Sequence, residues 1–322
     1  MTTTLNSETR QVQDLQSILI LKNLACGGIA GMVSKTTVAP LDRVKILLQA
    51  HSQHHTNHGV FRGLKHIITR EGPLALYKGN GAQMVRIFPY AASQFTAFEI
   101  FKKYLDGIFG EKSHIDKFIA GAAAGLTAVF LTYPLDTIRA RLAFQISGEH
   151  VYTGIIHTAT SIFKEEGGFK ALYRGFTPTL MGMVPYAGLS FYCFEYLKYG
   201  CLKYFPNVTS KPCTKNTGGV VLTVPAKLLC GGLAGAIAQS FSYPLDVTRR
   251  RMQLAMMKPE TQHMANGMLT TLKCIYKDHG IIKGLYRGMS INYMRAIPMV
   301  ATSFSTYELC KQFMGLDTGV AI

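Results

Sequence analysis

The sequence predicts an all-α membrane protein: six transmembrane helices in three pseudo-symmetric helix-pair repeats, each repeat with a short extra helix. Three observations carry this. Pro40-Leu41-Asp42-Arg43-Val44-Lys45 recurs as Pro134-Leu135-Asp136-Thr137-Ile138-Arg139 and Pro244-Leu245-Asp246-Val247-Thr248-Arg249, at spacings of 94 and 110 residues, and self-similarity at such periods marks a repeat architecture. Thirteen residues before each proline a glycine opens a GxxxG, at Gly27 and Gly31, Gly121 and Gly125, Gly231 and Gly235. Six long apolar runs then follow one another along the chain.

Those runs are Leu24 to Leu48, 79–105, 116–144, 176–203, 225–255 and 288–314. Each is long enough for a hydrocarbon core of ~30 Å, which needs ~20 residues at 1.5 Å rise. Small residues at GxxxG spacing let helices approach closely in lipid. Shorter polar helices are expected near 59–71, 153–166 and 265–278, with Gly72, Gly167 and Gly280 as stops before Tyr77-Lys78-Gly79, Tyr173-Arg174-Gly175 and Tyr286-Arg287-Gly288. Segments 106–114 and 204–224 read as inter-repeat loops. The organisation is a tail (1–21), repeats at 22–105, 106–203 and 204–314, and a second tail (315–322).

The formal charge of +16, from 34 basic and 18 acidic residues, points to an anionic partner rather than a neutral substrate. No nucleic-acid motif accompanies it. No nucleophile with a base at recognisable spacing and no GxxxxGK[ST] appears, so no enzyme is expected. Seven cysteines without a CxxC pair read as small buried hydrophobes. His51, His54, His55 and His58 have metal-compatible spacing but sit among Ser, Gln, Thr and Asn, and read as loop; no metal and no cofactor are expected.

Ionisable groups inside spans normally face a cavity or one another. Asp42, Lys45, Asp136, Arg139, Asp246 and Arg249 lie just past the prolines, and Glu99, Lys102, Glu195, Lys198, Glu308 and Lys311 near the far ends of the even spans. An acid of one repeat can meet a base of the next and close a ring at each end, or each i, i+3 pair can close within its own helix. The positions 13 residues before the three glutamates are Arg86, Gly182 and Arg295, ~20 Å along an ideal helix. Together with Lys35, two turns before Asp42, the two arginines form a fixed cationic site suited to phosphates or a carboxylate.

The triplicated PxDxx[KR], the aromatic-basic-Gly turn and the [FY]Exx[KR] segment resemble the signature of the mitochondrial carrier family over about residues 22–314. The resemblance implies a matrix gate of Asp42, Lys45, Asp136, Arg139, Asp246 and Arg249, with Gln49 and Gln253 bracing its pairs. It implies a cytoplasmic gate of Glu99, Lys102, Glu195, Lys198, Glu308 and Lys311, with Tyr307 as brace. Arg86, Gly182 with Met183, and Arg295 match the family's substrate contact points, and the Gly-aliphatic pair resembles nucleotide carriers. The run Ser34-Lys35-Thr36-Thr37 and the triple Arg249-Arg250-Arg251 resemble the ADP/ATP carriers within the family, and Arg86-Ile87-Phe88-Pro89-Tyr90 resembles the coenzyme A carriers. Two departures stand out: Leu47 replaces a basic or Gln residue met by Arg141 and Arg251, so its contact is missing from repeat 1, and Phe98 and Phe194 lack a bracing hydroxyl.

The function implied is exchange of coenzyme A, or a precursor such as dephospho-coenzyme A, for an adenine nucleotide across the mitochondrial inner membrane. The protein is read as a monomer with cardiolipin as lipid partner and both termini toward the intermembrane space. The alternatives are an adenine nucleotide carrier without coenzyme A activity and, in another class, a non-transporting membrane scaffold.

Overall fold

The computed structural model describes residues 2–50, 60–109, 114–145, 152–212 and 220–316; the four histidines at 51–58 and Cys213 lie outside them. Six long helices dominate: α1 (Thr2–Gln49), α3 (Asn80–Phe109), α4 (His114–Phe144), α7 (Phe176–Tyr204), α9 (Val224–Leu254) and α11 (Met289–Phe313). Short helices α2 (Val60–Glu71), α5 (Ile155–Glu165) and α10 (Met268–Gly280) follow α1, α4 and α9. Helix α1 starts far ahead of Leu24 because no glycine or proline interrupts the chain before Gly27.

The described parts of the expected loop 204–224 carry secondary structure. A helical turn, α8 (Pro206–Thr209), leads into an antiparallel ladder of β1 (Ser210–Pro212) and β2 (Val220–Leu222). Gly72, Gly167 and Gly280, the expected stops, adopt φ of 85°, 103° and 71°, a region glycine enters without steric cost. A four-residue helix, α6 (Phe169–Leu172), lies between α5 and α7.

Each even long helix packs most extensively on the odd helix of the next repeat: α3 on α4, α7 on α9, and α11 back on α1. The ring of six is thereby closed. The odd helices also touch one another, and the largest buried cluster sits where they converge beside the short helices. It combines Val44, Leu47, Leu48, Ala140, Ala143, Phe144 and Leu254 with Ile67 of α2 and Ile291 of α11. Outward faces stay apolar, as at Phe118, Phe191, Phe241 and Ile297, all more than half exposed.

Among the described residues only Asp116–Phe144 is apolar enough over its length to be recognised as a span by composition alone. The other long helices dilute their apolar faces with inward charges. The GxxxG glycines do not all serve close approach. A Cβ at Gly31 would meet Ile87 at 3.8 Å, whereas Gly27, Gly125, Gly231 and Gly235 have nothing within 4 Å. The tight contact is at Gly28, outside the GxxxG, where a Cβ would lie 2.6 Å from the Phe88 ring.

Candidate binding cavity and charged ring

The glycine of each Tyr-basic-Gly turn caps an even helix in the left-handed conformation, with φ of 83° at Gly79, 84° at Gly175 and 83° at Gly288. A Cβ at Gly79 or Gly175 would sit 2.9 Å from the carbonyl oxygen of Arg139 or Arg249. The turn thus seats each even helix directly on the next repeat's charged segment.

Arg139 donates to Asp42 at 2.6 Å, and Arg249 donates to Asp136. Acids of repeats 1 and 2 therefore reach bases of repeats 2 and 3, across repeats rather than within one helix. The third link of that rotation is unmade: Lys45 donates to Asn292 at 2.8 Å, and Asp246 accepts from Gln239 of its own helix at 2.7 Å. Gln253 braces Asp136 at 3.1 Å and also donates to Tyr133. Gln49 instead donates to the Tyr243 hydroxyl at 3.2 Å.

The two mid-depth arginines are not free cations. Arg86 donates to Asp136 at 3.2 Å and Arg295 to Asp42 at 2.6 Å. Lys35, by contrast, donates to the Met299 sulfur at 3.3 Å and, among the described residues, pairs with no carboxylate. A cavity of about 210 Å³ gathers these groups: Lys35, Lys45, Arg86, Arg139, Arg249, Arg250 and Arg295 face Asp42, Asp136 and Asp246. Seven cations against three carboxylates leave a positive surplus suited to a multiply charged anion. A second cavity of about 500 Å³ shares Lys35, Gln83 and Arg86 and adds the apolar or aromatic Ile87, Tyr90 and Phe95.

Gly182 and Met183 line neither cavity; Gly182 lies against Leu245, where a Cβ would be 3.6 Å from its Cβ. The expected second ring is likewise not assembled among the described residues. Glu195 and Lys198 pair within α7 at 3.0 Å, both partly exposed. Lys311 sits over the Tyr307 ring at 5.2 Å, and Glu99 and Lys102 face a separate cavity. Glu308 makes no ion pair among the described residues. Among the described residues, ion pairs cross between repeats at the short-helix end and none does at the other.

Several contributors escaped the sequence reading. Leu47 does not leave repeat 1 without its contact, because Arg43, four residues earlier, supplies it: Arg43 pairs with Glu71 at 2.8 Å and donates to the carbonyls of Ala75, Ala143 and Gln145. Arg141 does the same in repeat 2 with Glu166, Tyr152 and the Gln253 carbonyl. Lys78 and Arg174, the basic residues of the Tyr-basic-Gly turns, pair with Glu71 and Glu166. Tyr133 and Tyr243, each preceding a repeat proline, donate to the carbonyls of Arg174 and Arg287. Their shared offset was the available signal. Gln83 is 7% exposed, lines both cavities and has an unpartnered Oε1.

The chain matches the family described as "Mitochondrial carrier protein" over residues 16–108, 110–205 and 221–318. It is 54% identical over 297 residues to "Solute carrier family 25 member 16" of Bos taurus, covering 92% of this chain and 90% of that protein. The Homo sapiens protein of the same name is 54% identical over 92% of this chain and 89% of its own length. "Mitochondrial coenzyme A transporter SLC25A42" of Xenopus tropicalis is 42% identical over 91% of this chain and 85% of its own.

Proposed function

The chain belongs to the mitochondrial carrier family, and from that premise we propose that it exchanges coenzyme A, or a precursor such as dephospho-coenzyme A, for an adenine nucleotide. It is a multi-pass transporter of the mitochondrial inner membrane and not an enzyme. The observation that carries the substrate reading is the cationic cavity in which Lys35 has no carboxylate partner among the described residues, with Arg86 and Arg295 beside it. Phosphate groups are the chemistry such a cluster holds best. The neighbouring cavity supplies Tyr90, Ile87 and the open Gln83 acceptor for a flat base with an exocyclic amine. Similarity to a protein named as a coenzyme A transporter supports the same substrate.

In this reading the Asp42–Arg139 and Asp136–Arg249 pairs close a matrix gate. The unpaired glutamates and lysines of the other end form the cytoplasmic gate when the site faces the matrix. Both termini face the intermembrane space, the protein acts as a monomer, and cardiolipin sits against its matrix half. The test is uptake into proteoliposomes. Labelled adenine nucleotide is to exchange for internal coenzyme A or dephospho-coenzyme A, and citrate, glutamate and malate are not to compete. Exchange among adenine nucleotides with no coenzyme A uptake would assign a nucleotide carrier instead.

A further inference from the structure

The arginine that fastens each short helix has a carboxylate in two repeats and not in the third. Glu71 and Glu166 stand just before the stop glycines Gly72 and Gly167, and receive Arg43 and Arg141. In repeat 3 the residue before Gly280 is His279. Arg251, at the position of Arg141, is only 5% exposed, and its Nε and Nη2 reach no acceptor. A guanidinium cannot shed its charge, and burying it without an anion is costly. The charges acting on it are Arg287, of like sign, and the exposed Asp278. The His279 imidazole is not an anion in either protonation state, and burial first, then the Arg251 charge, holds it below its ordinary value.

Beside Arg251 is a cavity of about 20 Å³, lined also by Lys258, Thr261, Ala50, Phe144 and Leu254. The last three each lie ten residues after a repeat proline, so the cavity sits where the ends of α1, α4 and α9 meet. It is partly open, and it is separate from the cation cluster of the substrate site, with which it shares no residue. The volume is that of one small solute.

We infer that Arg251 and Lys258 bind a small inorganic anion, phosphate or chloride, which replaces in repeat 3 the carboxylate that Glu71 and Glu166 supply in repeats 1 and 2. The anion neutralises Arg251 at the end of α9 and ties it to the Lys258–Thr261 segment that leads into α10, so its effect is on stability and does not depend on which substrate is carried.

The purified protein is melted in gluconate buffer of constant ionic strength while phosphate or chloride replaces gluconate. Wild type gains about 3 °C or more at saturation. His279→Glu, which rebuilds the carboxylate clasp, melts above wild type in gluconate and no longer responds to the anion. Lys258→Gln needs a several-fold higher anion concentration for the same shift, with uptake unchanged. Identical melting of wild type in gluconate, chloride and phosphate overturns the inference, as does a full anion response in His279→Glu. Protection by cardiolipin that His279→Glu abolishes, with none from phosphate or chloride, overturns it in favour of a lipid headgroup.

Discussion

Asp42 and Asp136 are each held by two guanidinium groups, one from the next repeat's odd helix and one from the preceding repeat's even helix. Asp246 receives neither, because those positions are Lys45, which turns to Asn292, and Gly182, which has no side chain. Gly182→Arg therefore supplies the missing partner without a clash, since its Cβ would make an ordinary contact with Leu245. The variant is expected to melt higher and to lose uptake at least tenfold, a rate effect equivalent to ~1.4 kcal/mol. Normal uptake with unchanged melting would show that Asp246 is not within reach. Arg86→Ala and Arg295→Ala are each expected to abolish uptake and also to lower the melting midpoint, because a lost charge-assisted bond costs ~1.5 to 3 kcal/mol. Symmetry and depth alone locate Arg86 and Arg295 in the sequence, but as free cations. That the two already neutralise Asp136 and Asp42 depends on distances between helices, which spacing along one helix does not contain. A loss of uptake with unaltered melting would restore the free-cation reading.

The helices were legible mainly through the repeat, whose glycines at positive φ set their ends locally, because composition alone marks only Asp116–Phe144 as a span among the described residues. The clasps between elements were less so. Leu47 breaks the repeat's pattern, and only the fold shows Arg43 of the same helix reaching Glu71 in its stead. Nor does periodicity distinguish Gly28, which meets Phe88, from its neighbour Gly27, which meets nothing. Burial alone would raise the Glu71 carboxyl, but hydrogen bonds from Lys78 and Arg43, with their charges, hold it below its usual range. A depressed carboxyl contributes stability that is fully present above its unfolded value of ~4.3 and is lost as pH falls through the folded value. Glu71→Gln is thus expected to melt lower than wild type by a constant margin from pH 8 to about pH 5.5, a gap that narrows in more acid buffer. A margin that instead widens on acidification would mean the carboxyl is raised. At the turn that seats α7, Gly175→Ala places a Cβ against the Arg249 carbonyl in a backbone conformation unsuited to alanine. It is expected to destabilise the protein by more than ~1 kcal/mol, read as a lowered melting midpoint, whereas Gly154→Ala, with open space around it and an extended backbone, is expected to be near neutral.

For the molecule as a whole, the ring has a direction, and that direction is testable. Asp42 reaches Arg139 and Asp136 reaches Arg249, so each acid takes the base of the following repeat, and Asp246 would take Lys45. In the exchange proposed above, two closed links and one open one suit a gate that breaks in every cycle, because a ligand shifts a two-state equilibrium only by its differential affinity for the two states. Breaking one partner of a nearly buried pair is strongly unfavourable, yet the net strength of an intact pair is modest. Asp136→Lys places a cation against both Arg249 and Arg86, and uptake is expected to fall to background. Adding Arg249→Asp restores an opposite-charge pair at the same contact and is expected to recover part of the exchange. Recovery stays incomplete because Arg86 and Gln253 were arranged around a carboxylate. Adding Lys45→Asp to Asp136→Lys has no such effect, since Lys45 belongs to the open link on the other side of the ring. Rescue by Arg249→Asp and not by Lys45→Asp establishes both the ring and its sense. Rescue by neither, together with normal uptake in Asp136→Asn, would show that these charges do not gate the cavity, leaving the cationic surplus around Lys35 to be explained by substrate binding alone.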